Sequence, residues 1–187
     1  MTSSTTDLPR AATFGGSRVS RCSWFIGLAA VGCLADLISK SWVFLSLGAP
    51  TGIQKIYWLI EGYVGLETSL NYGALFGMGQ GRVWFFAVMS FVALFGIGCW
   101  LIKFKAVDDR VLTVTLGIVT GGILGNLYDR LGMWSNFQTF AVRDWIRLSY
   151  NYDQYVWPNF NIADSLLVCG AALLVWHSFK VTEKTPE

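Results

Sequence analysis

VWFFAVMSFVALFGIGCWLI, residues 83–102, decides the fold: 20 residues pass without one charged side chain. An α-helix of about 20 apolar residues crosses the hydrocarbon core of a bilayer. The composition of the 187-residue chain agrees, with 53% hydrophobic and only 14% charged residues. A soluble domain carries about 25% charged residues.

Working outward from that stretch, three more apolar runs are long enough to be spans. They cover residues 23–47, 111–128 and 162–179, the last two slightly short, with polar ends at the interface. The expected fold is therefore all-α and polytopic, with four transmembrane helices in one membrane domain, residues 23–180. Residues 1–22 and 181–187 read as cytoplasmic tails, the first rich in Ser, Thr, Gly and Arg and without apolar periodicity. Residues 48–82 contain KIYWLI and YVGLETSLN, short partly alternating runs that predict a small β-sheet on the membrane surface. Residues 129–160 read as an outer loop whose Trp134, Trp145, Tyr150, Tyr152, Tyr155 and Trp157 suit the headgroup zone.

Lys and Arg set the orientation. One side would hold Arg10, Arg18, Arg21, Lys103, Lys105, Arg110, Lys180 and Lys184; the other would hold Lys55, Arg82, Arg130, Arg143 and Arg147. The excess puts both termini in the cytoplasm. A net charge of +2 is too small to suggest a nucleic-acid partner. Cys22, Cys33, Cys99 and Cys169 form no CxxC pair, and His177 is the only histidine. Neither a metal site nor a His-based triad has enough ligands here, and no cofactor is expected. Arg18, Arg21 and the apolar run to Cys33 imitate a lipoprotein signal, but the run continues to Asp36 and Lys40 and three further spans follow.

The informative residues are polar ones inside the spans, where ionisable groups are costly. Asp36 and Lys40 share a helical face at i and i+4. They read either as a structural ion pair or as the polar wall of a site. Asn126 and Asp129 share a face at the end of the third span, after Gly121, Gly122 and Gly125, which permit close helix approach. Asn161 can cap the fourth span, and Asp164 stands where a capping-box acid would stand. Asp36, Asp129, Asp144 and Asp164 are expected at similar depth, from three helices and one loop. Two carboxylates held close share a proton, and such a pair does the chemistry of an aspartic peptidase.

In order, these motifs resemble the lipoprotein signal peptidase (signal peptidase II) family. Asp36-Leu37-Ile38-Ser39-Lys40 resembles D-x-x-T/S-K, and Asn71-Tyr72-Gly73-Ala74-Leu75-Phe76-Gly77 resembles N-x-G-A-x-F-G. Gly121 to Arg130 resembles G-G-x-x-G-N-x-x-D-R. Val142-Arg143-Asp144-Trp145 resembles V-x-D-F, and Phe160-Asn161-Ile162-Ala163-Asp164 resembles F-N-x-A-D. The resemblance implies Asp144 and Asp164 as the catalytic pair. It implies supporting or substrate-holding roles for Asp36, Lys40, Asn71, Gly73, Asn126, Asp129, Arg130 and Asn161. It further implies a diacylglyceryl-modified prolipoprotein as substrate, cut just before its lipidated cysteine, in a bacterial inner membrane with the active site at the outer face. Membrane lipids are the expected surroundings and a monomer the expected state. Arg143 stands where the family has an apolar residue; it would either face away from Asp144 or lower that acid's pKa. Asp153 reads as a bystander on the outer loop. The rival readings are a small proton- or ion-coupled transporter using the same acids as a relay and a non-catalytic membrane assembly factor.

Overall fold

Four helices carry the apolar runs in the computed structural model, which describes residues 18–50, 55–73, 78–103, 106–136, 138–152 and 154–182. They are α1 (Arg18–Leu47), α2 (Val83–Lys103), α3 (Arg110–Arg130) and α4 (Ile162–Thr182). All four are long and apolar enough to cross a membrane. Helix α1 begins at Arg18, ahead of the expected residue 23, and its Arg21 guanidinium reaches Asp108 in the α2–α3 connection at 3.1 Å. That ion pair makes a polar first turn tolerable as helix. The run through Cys33 is continuous helix to Leu47, as a span requires and a cleaved signal does not. Asp153, residues 1–17 and 183–187 of the expected tails, and Ala74 to Gly77 lie outside the described residues.

Helix α3 is the hub, packed against α1, α2 and α4. Its buried residues are mostly small or polar: Thr113, Thr115, Gly117, Thr120, Gly121, Gly122, Gly125 and Asn126 among them. Lipid tails are as apolar as leucine, so membrane helices associate through close packing and polar contacts rather than by hiding apolar surface. Gly121 shows how close that is. A Cβ there would lie 2.9 Å from the Ala29 carbonyl oxygen and 3.1 Å from the Gly32 Cα of α1.

At one end of the bundle sits a four-stranded antiparallel sheet in the order β1-β2-β3-β4. The strands are β1 (Ile56–Ile60), β2 (Val64–Asn71), β3 (Val142–Tyr150) and β4 (Tyr155–Phe160). This corrects the sequence reading, in which residues 129–160 were an outer loop; half of the sheet comes from them. Their alternation was hidden because Arg143, Asp144 and Arg147, though charged, are all buried. The register sets Ser69 opposite Asp144, Leu70 opposite Arg143 and Asn71 opposite Val142. Asp144 is therefore held on a paired strand, not on a loop. Tyr150, Tyr155 and Trp157 remain exposed along β3 and β4, as side chains at a headgroup level would be.

Candidate active site

The sheet and the adjoining ends of α1, α3 and α4 enclose all ten polar and glycine positions singled out by sequence. Asp144 on β3 is 2% exposed and Asp164 in the first turn of α4 is 7% exposed. Between them stands Asn161, which precedes α4. Its Nδ2 donates to Asp144 Oδ1 at 2.6 Å, and its backbone N–H donates to Asp164 Oδ2 at 3.3 Å. Asn161 Oδ1 in turn accepts from the Asp164 N–H at 2.9 Å. This is a capping box, so the cap expected for Asp164 is present; the same residue pair also touches Asp144.

Three carboxamides aim N–H bonds at the two acids, and each is oriented from behind. Asn71 Oδ1 accepts from the Gly73 N–H at 2.9 Å, which turns its Nδ2 toward Asp144 Oδ2 at 3.0 Å. Asn126 Oδ1 accepts from Lys40 Nζ at 2.8 Å, which turns its Nδ2 toward Asp164 Oδ1 at 2.8 Å. Asn161 is turned by the Asp164 N–H, as above. An amide with a donor already at its oxygen cannot flip without facing donor to donor. Both carboxyl groups thus accept on both oxygens, and both are buried.

The supporting charges form a second tier. Lys40 lies 2.6 Å from Asp36 Oδ2 and 3.2 Å from Asp129 Oδ2. Asp36 Oδ1 accepts the Ala163 N–H at 2.9 Å, tying α1 to the start of α4. Gly125 makes room for that acid, since a Cβ there would collide with the Asp36 carboxylate. Arg130 Nη2 donates to the Gly73 carbonyl at 3.2 Å, and its guanidinium sits 5.8 Å above the Phe86 ring. It anchors the turn that carries Asn71.

Of the two possibilities for Arg143, the structure shows the first: it faces away from Asp144. Neighbouring strand residues point to opposite faces, and Arg143 grips Asp129. Its Nη2 and Nε donate to Asp129 Oδ1 at 2.8 and 3.1 Å, and its N–H donates to Oδ2 at 2.9 Å. Its Nη1 also reaches Ser41 Oγ at 3.2 Å, and the guanidinium lies 5.1 Å over the Trp134 ring. Asp144 therefore gains no direct cation. Burial foremost, and then the charge of Asp164, push its pKa up to about 7, against the opposing pull of Asn71, Lys40 and Asn161.

The sequence reading missed several participants. Ser41 and the pairing of Arg143 with Asp129 left no pattern in one dimension. Glu67, 2% exposed, accepts from Arg147 Nη1 at 2.6 Å and from Asn159 Nδ2 at 3.0 Å, tying β2 to β3 and β4. The alternation of YVGLETSLN placed Glu67 on a strand face but not its buried partner. Among the described residues, no group of three or more His, Cys, Asp or Glu could hold a metal ion.

Known proteins resemble this chain in sequence and in fold. The sequence profile of the family described as Signal peptidase (SPase) II matches residues 28–180. A lipoprotein signal peptidase of Rhodopirellula baltica is 48% identical over 180 residues, covering 93% of this chain and 79% of its own. One from Pseudomonas fluorescens is 34% identical, covering 91% of this chain and 95% of its own. In three dimensions the chain is similar to a bacterial membrane enzyme determined by the in meso method, with a TM-score of 0.72 and 25% identity, over 87% of this chain and 92% of that one. With the profile spanning all four helices and the sheet between them, this multi-pass membrane protein belongs to the signal peptidase II family, a family of aspartic peptidases.

Proposed function

We propose that Asp144 and Asp164 are the catalytic pair. They remove signal peptides from diacylglyceryl-modified prolipoproteins by a cut just before the lipidated cysteine. The observation that carries this reading is the bridge through Asn161. It holds two buried carboxyl groups, each fed by oriented amide donors, at the sheet-bearing end of an apolar bundle. Two such groups share one proton. The ionised acid takes a proton from water as the water attacks the scissile carbonyl, and the protonated acid hydrogen-bonds the oxygen on which charge develops. A signal peptide is itself an apolar helix, so it enters sideways between spans and presents its cleavage site at this level. The Lys and Arg count supports cytoplasmic termini and, with them, a site at the outer face of a bacterial inner membrane. The enzyme acts as a monomer, with Asp36, Lys40, Asn71, Gly73, Asn126, Asp129, Arg130 and Asn161 shaping the site.

The test uses purified full-length protein in detergent with a prolipoprotein prepared with and without its diacylglyceryl group. Mass spectrometry should find a new N-terminus at the lipidated cysteine and no cut in the unmodified precursor. A chelator should leave the rate unchanged. Equal cleavage of both precursors would remove the lipid from the proposal, and no cleavage of either would remove the proposal itself.

A further inference from the structure

Lys40 is fully buried; its ammonium donates to Asn126 Oδ1 at 2.8 Å and forms ion pairs with Asp36 Oδ2 at 2.6 Å and Asp129 Oδ2 at 3.2 Å. Two carboxylates already neutralise the ammonium. The third contact, to a neutral amide, adds nothing to that balance. Together with Asn161 Nδ2, which donates to the same oxygen at 3.2 Å, it decides which way the amide points, and it is the charged one of the two donors. An ammonium can only donate, so it takes the oxygen of Asn126 and leaves Nδ2 to Asp164 at 2.8 Å.

Among the described contacts, Asp144 has no equivalent line. Its donors are Asn161 and Asn71. Among the described contacts, the groups behind these are the Asp164 N–H, the Gly73 N–H and the Gln80 amide at 3.4 Å, each of them neutral. A hydrogen bond backed by a charge is polarised and strengthened. Asp164 also lies in the first turn of the 21-residue α4, where the helix end favours negative charge. Asp144 lies on a strand.

We infer that Lys40, acting through Asn126, is a positioning residue that places the negative charge of the dyad on Asp164 and leaves the shared proton on Asp144. This rests on the peptidase reading above and assigns the two roles left open there. Asp164 then takes a proton from water while the water oxygen bonds to the scissile carbon, and Asp144 gives its proton to the carbonyl oxygen. The intermediate is a neutral gem-diol. As its C–N bond breaks, Asp164 returns its proton to the leaving nitrogen and Asp144 recovers one from a diol hydroxyl. A carboxylic acid and an amine leave, and the dyad is restored.

The charged groups packed around the dyad are Asp36 and Lys40 on α1 and Asp129 and Arg130 on α3; Arg143 on β3 turns away from it to Asp129, and the only charged residue of α2 is Lys103, at its other end. Arg130 acts on both acids, and the direct field of Lys40 reaches both as well. The Asn126 line is what separates them.

Infrared spectroscopy of the full-length protein in detergent near neutral pH, without substrate, reads the proton directly. The carboxylic C=O band should be present in wild type and lost in Asp144→Asn; in Asp164→Asn, which lacks the neighbouring charge that helps hold the proton on Asp144, it should persist and titrate away at lower pH than in wild type. Loss in Asp164→Asn with retention in Asp144→Asn would overturn the assignment. Kinetics supply the second reading. Lys40→Met should lower kcat about a hundredfold, hold KM within about threefold, and move the acidic limb of the pH–rate profile up by about one unit. Lys40→Arg, which keeps the charge, should restore the limb. A fall in kcat with an unmoved limb would reduce Lys40 to packing. If wild type fails to cleave prolipoprotein, the proposed function fails, while the infrared result still decides where the proton sits.

Discussion

Helices α2 and α3 have the same length, 21 residues each, and opposite surroundings. Helix α2 is the more apolar of the two, yet little of it is buried within the protein, whereas most of α3 is. In a soluble protein the more apolar helix would be the interior one. Here lipid receives Trp84, Phe85, Phe91 and Phe95 of α2, which are exposed on the protein surface, and the interior receives threonines, glycines, Asn126, Asp129 and Arg130. The difference teaches where to look for function in such a chain: on the helix that is least content in lipid.

The largest way to break the comparison is to remove a charge from the inner helix. Asp129→Ala strips Lys40 and Arg143 of a shared acceptor at a fully buried position. It should cost about 3–5 kcal/mol, read as a fall in thermal unfolding temperature in detergent. Lys103→Gln at the end of α2 should stay within about 0.5 kcal/mol. Next is a pair of glycines. Gly125→Ala drives a methyl into the Asp36 carboxylate, whereas a Cβ at Gly96 of α2 has nothing within 4 Å. The first should destabilise by about 1–3 kcal/mol; the second should not destabilise, and a comparable loss there would break the contrast.

A smaller effect follows pH. Asp144 holds a proton in the folded protein up to about pH 7, whereas in the unfolded chain it loses it near pH 3.9. Its favourable contribution is therefore complete below that lower value and fades as pH rises toward 7. Asp144→Asn keeps the shape without the ionisation, so its unfolding temperature should rise relative to wild type from pH 4 to 7 and level off above. The same proton is needed for catalysis, and the wild-type rate should decline as pH rises through about 7. The smallest expected effect is Phe91→Leu on the lipid face of α2, within about 0.5 kcal/mol and without change in activity.

Much of this was legible in one dimension, for different reasons in different places. The spans were legible because a bilayer demands length and apolarity of each helix separately. Asp36, Lys40, Asn126, Asp129 and Arg130 were legible because a polar residue inside a span stands out from its neighbours. Strands β3 and β4 were not, because β3 buries charged residues on both of its faces, Asp144 on one and Arg143 and Arg147 on the other. Arg143 illustrates the limit. Beside Asp144 in sequence it looked like a threat to that acid's proton; in the fold it serves Asp129 on the other face of the strand.

The central claim is that Asp144 and Asp164 react as a pair. The most direct measurement compares cleavage of one lipidated prolipoprotein by wild type, Asp144→Asn, Asp164→Asn and Asp153→Asn, each confirmed folded by thermal unfolding. Both dyad variants should lose activity by at least about a thousandfold, while Asp153→Asn keeps the wild-type rate. A folded Asp144→Asn or Asp164→Asn protein that cleaves at the wild-type rate would contradict the account.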